Sequence, residues 1–213
     1  QQEGDRARMT DTPATGQVMA FARDMSRIGQ LGDVASAAGA VVMGYHRRVE
    51  AVSKADGSPV TVADREAEAL ILARLAVLLP GVPVVSEEAA SAGDIPAVGD
   101  DFALVDALDG TKEFIAGDSH FTVNIALIHN ARPVAGVVYA PALRRLWLAG
   151  PHAEAMSLAP GRPLAEATGR GPIHVRPFPQ GALTAMSSLR HACAETEAFL
   201  ARLPVGRSER AGS

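Results

Sequence analysis

Residues 121–129 and 133–139 form two largely apolar, β-branched-rich runs, with Asn130, Ala131 and Arg132 between them. Two such runs around a short Asn-containing connection predict a β-hairpin, and a third strand over residues 146–149 makes this stretch mainly antiparallel sheet. Upstream the period is helical. Val34, Ala38, Val41, Val42 and Tyr45 recur at three- and four-residue spacing, which predicts one or two helices within residues 18–47, broken near Gly29 to Gly32. The turn sequence Asp56-Gly57-Ser58-Pro59 precedes a further helix that starts at Thr61, its expected N-cap, and runs to about Leu79, where Pro80-Gly81 closes it. Val84-Val85 then reads as a short strand, residues 89–99 as a loop of small residues, and residues 102–105 as a buried strand ending at Asp106.

After Gly150 the chain is rich in Pro and Gly as far as Ile173. Short strands around residues 173–175 and 183–186, and a helix over about 194–203, then predict a second unit. The expected organisation is an N-terminal α+β domain over residues 9–150 and a partial C-terminal α/β domain over 151–213, with residues 1–8 outside the fold. The second unit is expected to be incomplete, because no closing element precedes Gly212-Ser213.

Composition narrows the classes. The chain has 213 residues, 47% of them hydrophobic and 21% charged, which excludes disordered and fibrous classes. Twenty Lys and Arg against 24 Asp and Glu leave a formal charge of −4, so no basic field is available for a nucleic-acid polymer. Cys193 is the only cysteine and has no disulfide partner within the chain. Arg74 interrupts the richest apolar run, and nothing approaches the roughly 18 residues of a membrane span. A reducing, cytoplasmic setting is the expectation.

The candidate chemistry lies in the acids. Asp64 stands at a helix start, Glu87-Glu88 follow a short strand, Asp106 ends a strand, and Asp109 comes just before Gly110-Thr111. Each has a structural explanation by itself: Thr61-x-x-Asp64 is a capping pattern, Asp109-Gly110 a common turn, and Glu87-Glu88 an ordinary solvated pair. Their order along the chain nevertheless predicts an oxygen-rich metal site. Mg²⁺ takes carboxylate, carbonyl and water oxygens at roughly 2.1 Å, whereas Zn²⁺ favours the His and Cys that are scattered here. A helix opening at Thr111 would present the Gly110 and Thr111 amides to a phosphate. Metal and phosphate together imply phosphoryl chemistry.

Two segments, Ser86-Glu87-Glu88 and Asp106-Ala107-Leu108-Asp109-Gly110-Thr111-Lys112-Glu113-Phe114, resemble the signatures of the inositol monophosphatase superfamily of Mg²⁺-dependent, lithium-sensitive phosphatases. Residues 56–64, the continuation from Thr111 to Ile115, and residues 121–127 are similar to its CysQ branch, the 3′(2′),5′-bisphosphate nucleotidases. The resemblance implies a layered αβαβα sugar-phosphatase fold and two or three Mg²⁺ ions. By that resemblance Glu87, Asp106, the Leu108 carbonyl and Asp109 are the metal ligands, with Asp106 bridging. Thr111, oriented by Asp64, would position the attacking water beside Glu87, and Gly110, Thr111, Arg190 and His191 would bind substrate.

Some positions depart from the family pattern. Ala107 stands where the family usually has Pro, and Ser188-Leu189-Arg190-His191 replaces a Ser-Arg-Ser-His segment. The family's Trp-Asp segment, whose Asp completes the second metal site, would follow Gly212-Ser213. The resemblance thus implies hydrolysis of adenosine 3′,5′-bisphosphate (PAP) or its sulfated relative PAPS in sulfur assimilation, by a possible homodimer. The alternatives are inositol-phosphate or fructose-bisphosphate hydrolysis, and a catalytically impaired phosphate or nucleotide binder.

Overall fold

The computed structural model describes residues 16–48, 52–53, 59–188 and 193–211. Helix α1 covers Gln17–Ala22 and α2 covers Met25–Tyr45. The break between them falls at Arg23 and Asp24, not at Gly29 to Gly32. Asp24 is the N-cap of α2 and accepts a hydrogen bond from the Ser26 amide at 2.8 Å, which fixes the helix start there. Gly29 and Gly32 lie inside α2, where an added Cβ would stand 3.1 Å from the Leu164 side chain. They admit a close neighbour instead of ending the helix.

A short pair, β1 (Val52–Ser53) and β2 (Pro59–Val60), leads into α3 (Val62–Leu78). Thr61 caps α3 as the sequence predicts. Strand β3 (Val84–Ser86) is followed directly by the short helix α4 (Glu87–Ser91), which occupies the start of the expected loop. Strand β4 (Asp101–Asp109) continues past Asp106, and α5 (Thr111–Ile115) opens at Thr111. The predicted hairpin is β5 (Thr122–His129) with β6 (Arg132–Ala140). Its loop residues Asn130 and Ala131 have φ of 48° and 58°, the left-handed pair of a type I′ turn that matches the strand twist.

Strands β7 (Arg145–Ala149), β8 (Ala153–Ser157) and β9 (Thr168–Pro172) complete a seven-stranded sheet of order β3-β4-β5-β6-β7-β8-β9. Only β3 and β4 are parallel. The sheet runs past Gly150, so the expected domain boundary falls between its fifth and sixth strands. Helices α2 and α3 pack against one face, burying Leu31, Ala38, Ile71 and Leu75 against Val105, Val123, Leu127 and Tyr139. On the opposite face, Leu104 and Val138 remain 41% and 42% exposed.

Residues 173–175 form no strand. Beyond them β10 (Leu183–Ser188), α6 (Ala194–Leu200) and β11 (Val205–Ala211) make a βαβ unit whose two strands pair in parallel. None of the described residues of these three elements is fully buried. The core therefore belongs to the large sheet and its helices, and the acids of interest stand where β3 and β4 end.

Candidate active site

The geometry begins with an irregularity in β4. Asp106 pairs across to Asn124, but Asp109 pairs to Thr122. Three steps along β4 thus face two along β5, the signature of a β-bulge. Residues three apart in a regular strand point to opposite faces. The extra residue resets that alternation, leaving Ala107 and Leu108 both buried, at 3% and 2% exposure, with half-buried Asp106 and Asp109 to either side. The Leu108 amide donates to Asp106 Oδ1 at 3.1 Å and holds the bend.

Gly110 then turns the chain at φ 90° and ψ 36° into α5. A Cβ here would lie 2.8 Å from the His120 carbonyl oxygen, so glycine is required both for the left-handed backbone and for the space. The turn is anchored from behind. Phe114 packs edge-on against Phe121 with ring centroids 5.2 Å apart, and His46 stacks on Phe114 at 5.5 Å. His46 Nε2 also lies 2.9 Å from the Asp118 carbonyl oxygen, fastening the end of α2 to the segment after α5.

Asp64 faces this turn from the start of α3. Its Oδ2 accepts from the Thr61 amide at 2.7 Å and from Thr61 Oγ1 at 2.6 Å, while Thr61 Oγ1 accepts from the Ala63 amide at 3.1 Å. The capping reading of Asp64 is therefore correct. The same carboxylate has a second role, because its Oδ1 is 3.3 Å from Thr111 Oγ1. Thr111 Oγ1 is also 3.0 Å from the Leu108 carbonyl oxygen. With one proton, the hydroxyl donates to one of these at a time. Burial raises the Asp64 carboxyl above its ordinary range, against the hydrogen bonds from Thr61 and Thr111 that lower it.

Glu87 opens α4 and is exposed, and the next residue carries its anchor. The Glu88 amide donates to Glu68 Oε2 at 3.2 Å. Glu68 is 8% exposed and lies on α3 four residues after Asp64, one turn along the same face. Helix α3 thus positions both α5, through Asp64, and α4, through Glu68. The sequence signal for Glu68 was that spacing alone.

Asp106 stands at the electrostatic centre. Its carboxyl is pushed up to about 7, first by burial and then by the negative charges of Glu87 and Asp109, with the Leu108 amide opposing. Asp106, Glu87, Ser86 and Asn124 line a cavity of about 280 Å³ that contains no His or Cys. Among the described residues, no three His, Cys, Asp or Glu side chains close into a ready-made cation cage. Glu87 and Asp106 share this cavity, and Asp109 acts on Asp106 through its charge. Arg190 and His191 lie outside the described residues.

A scan against family profiles matches residues 27–185 to the inositol monophosphatase family. The chain belongs to that family. Among curated relatives, it is 43% identical over 125 residues to the 3′(2′),5′-bisphosphate nucleotidase CysQ of Escherichia coli, covering 57% of this chain and 51% of that one. The CysQ of Salmonella typhimurium is 50% identical over 101 residues, covering 47% and 41%. The chain thus spans about half the length of the curated relatives it matches. The inositol monophosphatase fold recurs in the crystal structure of CysQ from Bacteroides thetaiotaomicron, with a TM-score of 0.68, 33% identity, and coverage of 88% of this chain and 73% of that one.

Proposed function

We propose that this member of the inositol monophosphatase family is a Mg²⁺-dependent phosphomonoesterase that removes the 3′-phosphate of adenosine 3′,5′-bisphosphate or its sulfated relative. One observation carries the reading: half-buried Asp106 shares a cavity with Glu87, and the negative charges of Glu87 and Asp109 both bear on it. A site that holds three acids together at this cost suits a strong positive charge. The donors fit a hard cation, since Glu87, Asp106, Asp109 and the Leu108 carbonyl offer oxygen only. Two shielded oxygens, Ser86 Oγ and Asn124 Oδ1, have no hydrogen-bond partner in the same cavity. The choice of nucleotide substrate rests on likeness to the CysQ nucleotidases of Escherichia coli and Salmonella typhimurium.

Glu87, Asp106, Asp109 and the Leu108 carbonyl are the groups that would hold the cations. When bound, the cations neutralise charge on the phosphoryl oxygens and lower the pKa of the attacking water. The remaining work is done by the chain. Thr111 Oγ1 orients the water through its lone pairs, Asp64 fixes the direction of that hydroxyl, and the Gly110 and Thr111 amides receive the phosphate at the start of α5. Arg190 and His191 are proposed to contact the substrate.

Two features bear on the setting. Cys193 is an exposed free thiol, which fits a reducing compartment, and among the described residues no helix is long and apolar enough to cross a membrane. A cytoplasmic setting is our reading, on the free thiol of Cys193 and the likeness to the CysQ nucleotidases.

The test is phosphate release from PAP, inositol 1-phosphate and fructose 1,6-bisphosphate in Mg²⁺, repeated with Li⁺. Preferential turnover of PAP, abolished by Li⁺ or chelation, is expected. Preference for either sugar phosphate would reassign the substrate, and affinity for PAP without product would make the chain a binder.

A further inference from the structure

Asn124 stands directly opposite Asp106 in the β4–β5 ladder. Opposed residues of an antiparallel pair project from the same face with Cβ atoms about 4.5–5.5 Å apart. Asn124 therefore emerges beside Asp106, and it lines the cavity that Glu87 and Asp106 share. Its other surroundings are apolar. Leu104 and Ala126 border the same cavity, and Val138 and Trp147 border an adjoining one of about 420 Å³ that Asn124 also lines.

A carboxamide in such surroundings needs partners. Asn124 Oδ1 is shielded from solvent and has none, and the same is true of Ser86 Oγ. The reason for the second orphan is visible. Ser86 is the N-cap of α4 but makes no side-chain cap bond, and of the two first-turn amides a cap hydroxyl ordinarily reaches, those of Glu88 and Ala89, the first goes to Glu68 instead. Buried polar atoms without partners are few in native proteins and costly where they occur. Two of them beside two carboxylates in one cavity mark a place that receives polar ligands. An amide oxygen is suited to that place because it accepts a hydrogen bond without adding another negative charge to Glu87, Asp106 and Asp109.

We propose that Asn124 is a positioning residue of the acidic centre, whose carboxamide orients hydration water accompanying a divalent cation held by Glu87 and Asp106, with Ser86 Oγ as the second anchor. The inference rests on the metal-dependent reading above. It places a specificity for hydrated, oxygen-preferring cations in β5, outside the ligand set itself. Groups at this remove from a metal typically change affinity or activity by 10- to 100-fold when replaced.

The experiment uses the full chain with Asn124→Leu, which keeps the branched shape and removes both polar atoms, and Asn124→Ala, which adds no bulk. Mn²⁺ affinity is measured by calorimetry, Tm by metal-free melting, and kcat and KM with PAP. Both variants are expected to melt cooperatively, Asn124→Leu at or above the wild-type Tm because the orphan is gone. Both should bind Mn²⁺ at least tenfold more weakly and lose kcat by a similar factor with KM within about twofold. Wild-type Mn²⁺ affinity in both variants overturns the inference and leaves the hydrolase reading intact. Loss of a cooperative melt in both also overturns it, since Asn124 would then be structural. A wild-type chain that binds no Mn²⁺ removes the metal-dependent reading and this inference together.

Discussion

Thr111 Oγ1 lies 3.3 Å from Asp64 Oδ1, across 47 residues of chain. The other oxygen of that carboxylate is committed to capping α3 through Thr61. One acid therefore fixes the start of a helix and offers an acceptor to a hydroxyl beside the acidic centre, which the Leu108 carbonyl also offers at 3.0 Å. Thr111→Val, which keeps shape but not the hydroxyl, is expected to lower kcat by about 10²- to 10³-fold with a near-native Tm. Thr111→Ser should recover most of the rate. Steady-state kinetics on the two variants checks this, and full activity in Thr111→Val removes the residue from the mechanism.

Glu68 acts one step further away. Glu68→Ala frees the Glu88 amide and loosens the start of α4, so Mn²⁺ affinity and kcat should fall about tenfold or more. Glu68→Gln keeps an acceptor oxygen and should lie close to wild type. Equal losses in the two variants would show that the charge of Glu68 matters and not its hydrogen bond to Glu88.

Gly110→Ala meets two obstacles, the left-handed backbone and the His120 carbonyl 2.8 Å from the new Cβ. A cost of about 1–3 kcal/mol in stability is expected from the backbone alone, accompanied by loss of turnover as α5 shifts. Denaturant unfolding measures the first and the PAP assay the second. A Gly110→Ala protein of native stability would contradict the tight fit of this turn.

Asp106 gives the metal-free protein one pH-dependent contribution to stability, since its carboxyl is raised from 3.8 to about 7. The folded state then holds a proton that the unfolded chain has already released, so stability at this group is full below pH 3.8 and is lost as pH rises toward about 7. The contribution of Asp106 to metal-free Tm, read as the difference between wild type and Asp106→Asn, should therefore decline across that window. Asp106→Asn should flatten the decline and melt above wild type at pH 8. Mg²⁺ should restore more of the wild-type Tm at pH 8 than at pH 5.5, because protons compete with the cation at low pH.

The sequence made the strongly periodic parts of this fold legible and left the cooperative parts hidden. The β5–β6 hairpin could be read from two apolar runs around Asn130-Ala131-Arg132, and the start of α3 from Thr61-x-x-Asp64. The acids of the centre could be grouped because they cluster in two short motifs. The α1–α2 break was misplaced because Gly29 and Gly32 serve packing against Leu164, a contact made across more than 130 residues. Strand β9, Thr-Gly-Arg-Gly-Pro, carries no strand pattern and is held by its pairing to β8. The bulge that sets Asp106 and Asp109 on one side depends on the register against β5, and the position of Asn124 depends on the same register. Neither leaves a trace in a single stretch of residues.

The central claim is that Glu87, Asp106 and Asp109 gather to hold divalent cations. Calorimetric titration of the full chain with Mn²⁺, alongside Asp106→Asn, tests it most directly. The account predicts saturable binding by the wild type, strongest above pH 7, and affinity at least 100-fold weaker in a folded Asp106→Asn protein. Equal affinity in the two proteins, or no binding by the wild type at pH 8, would contradict it.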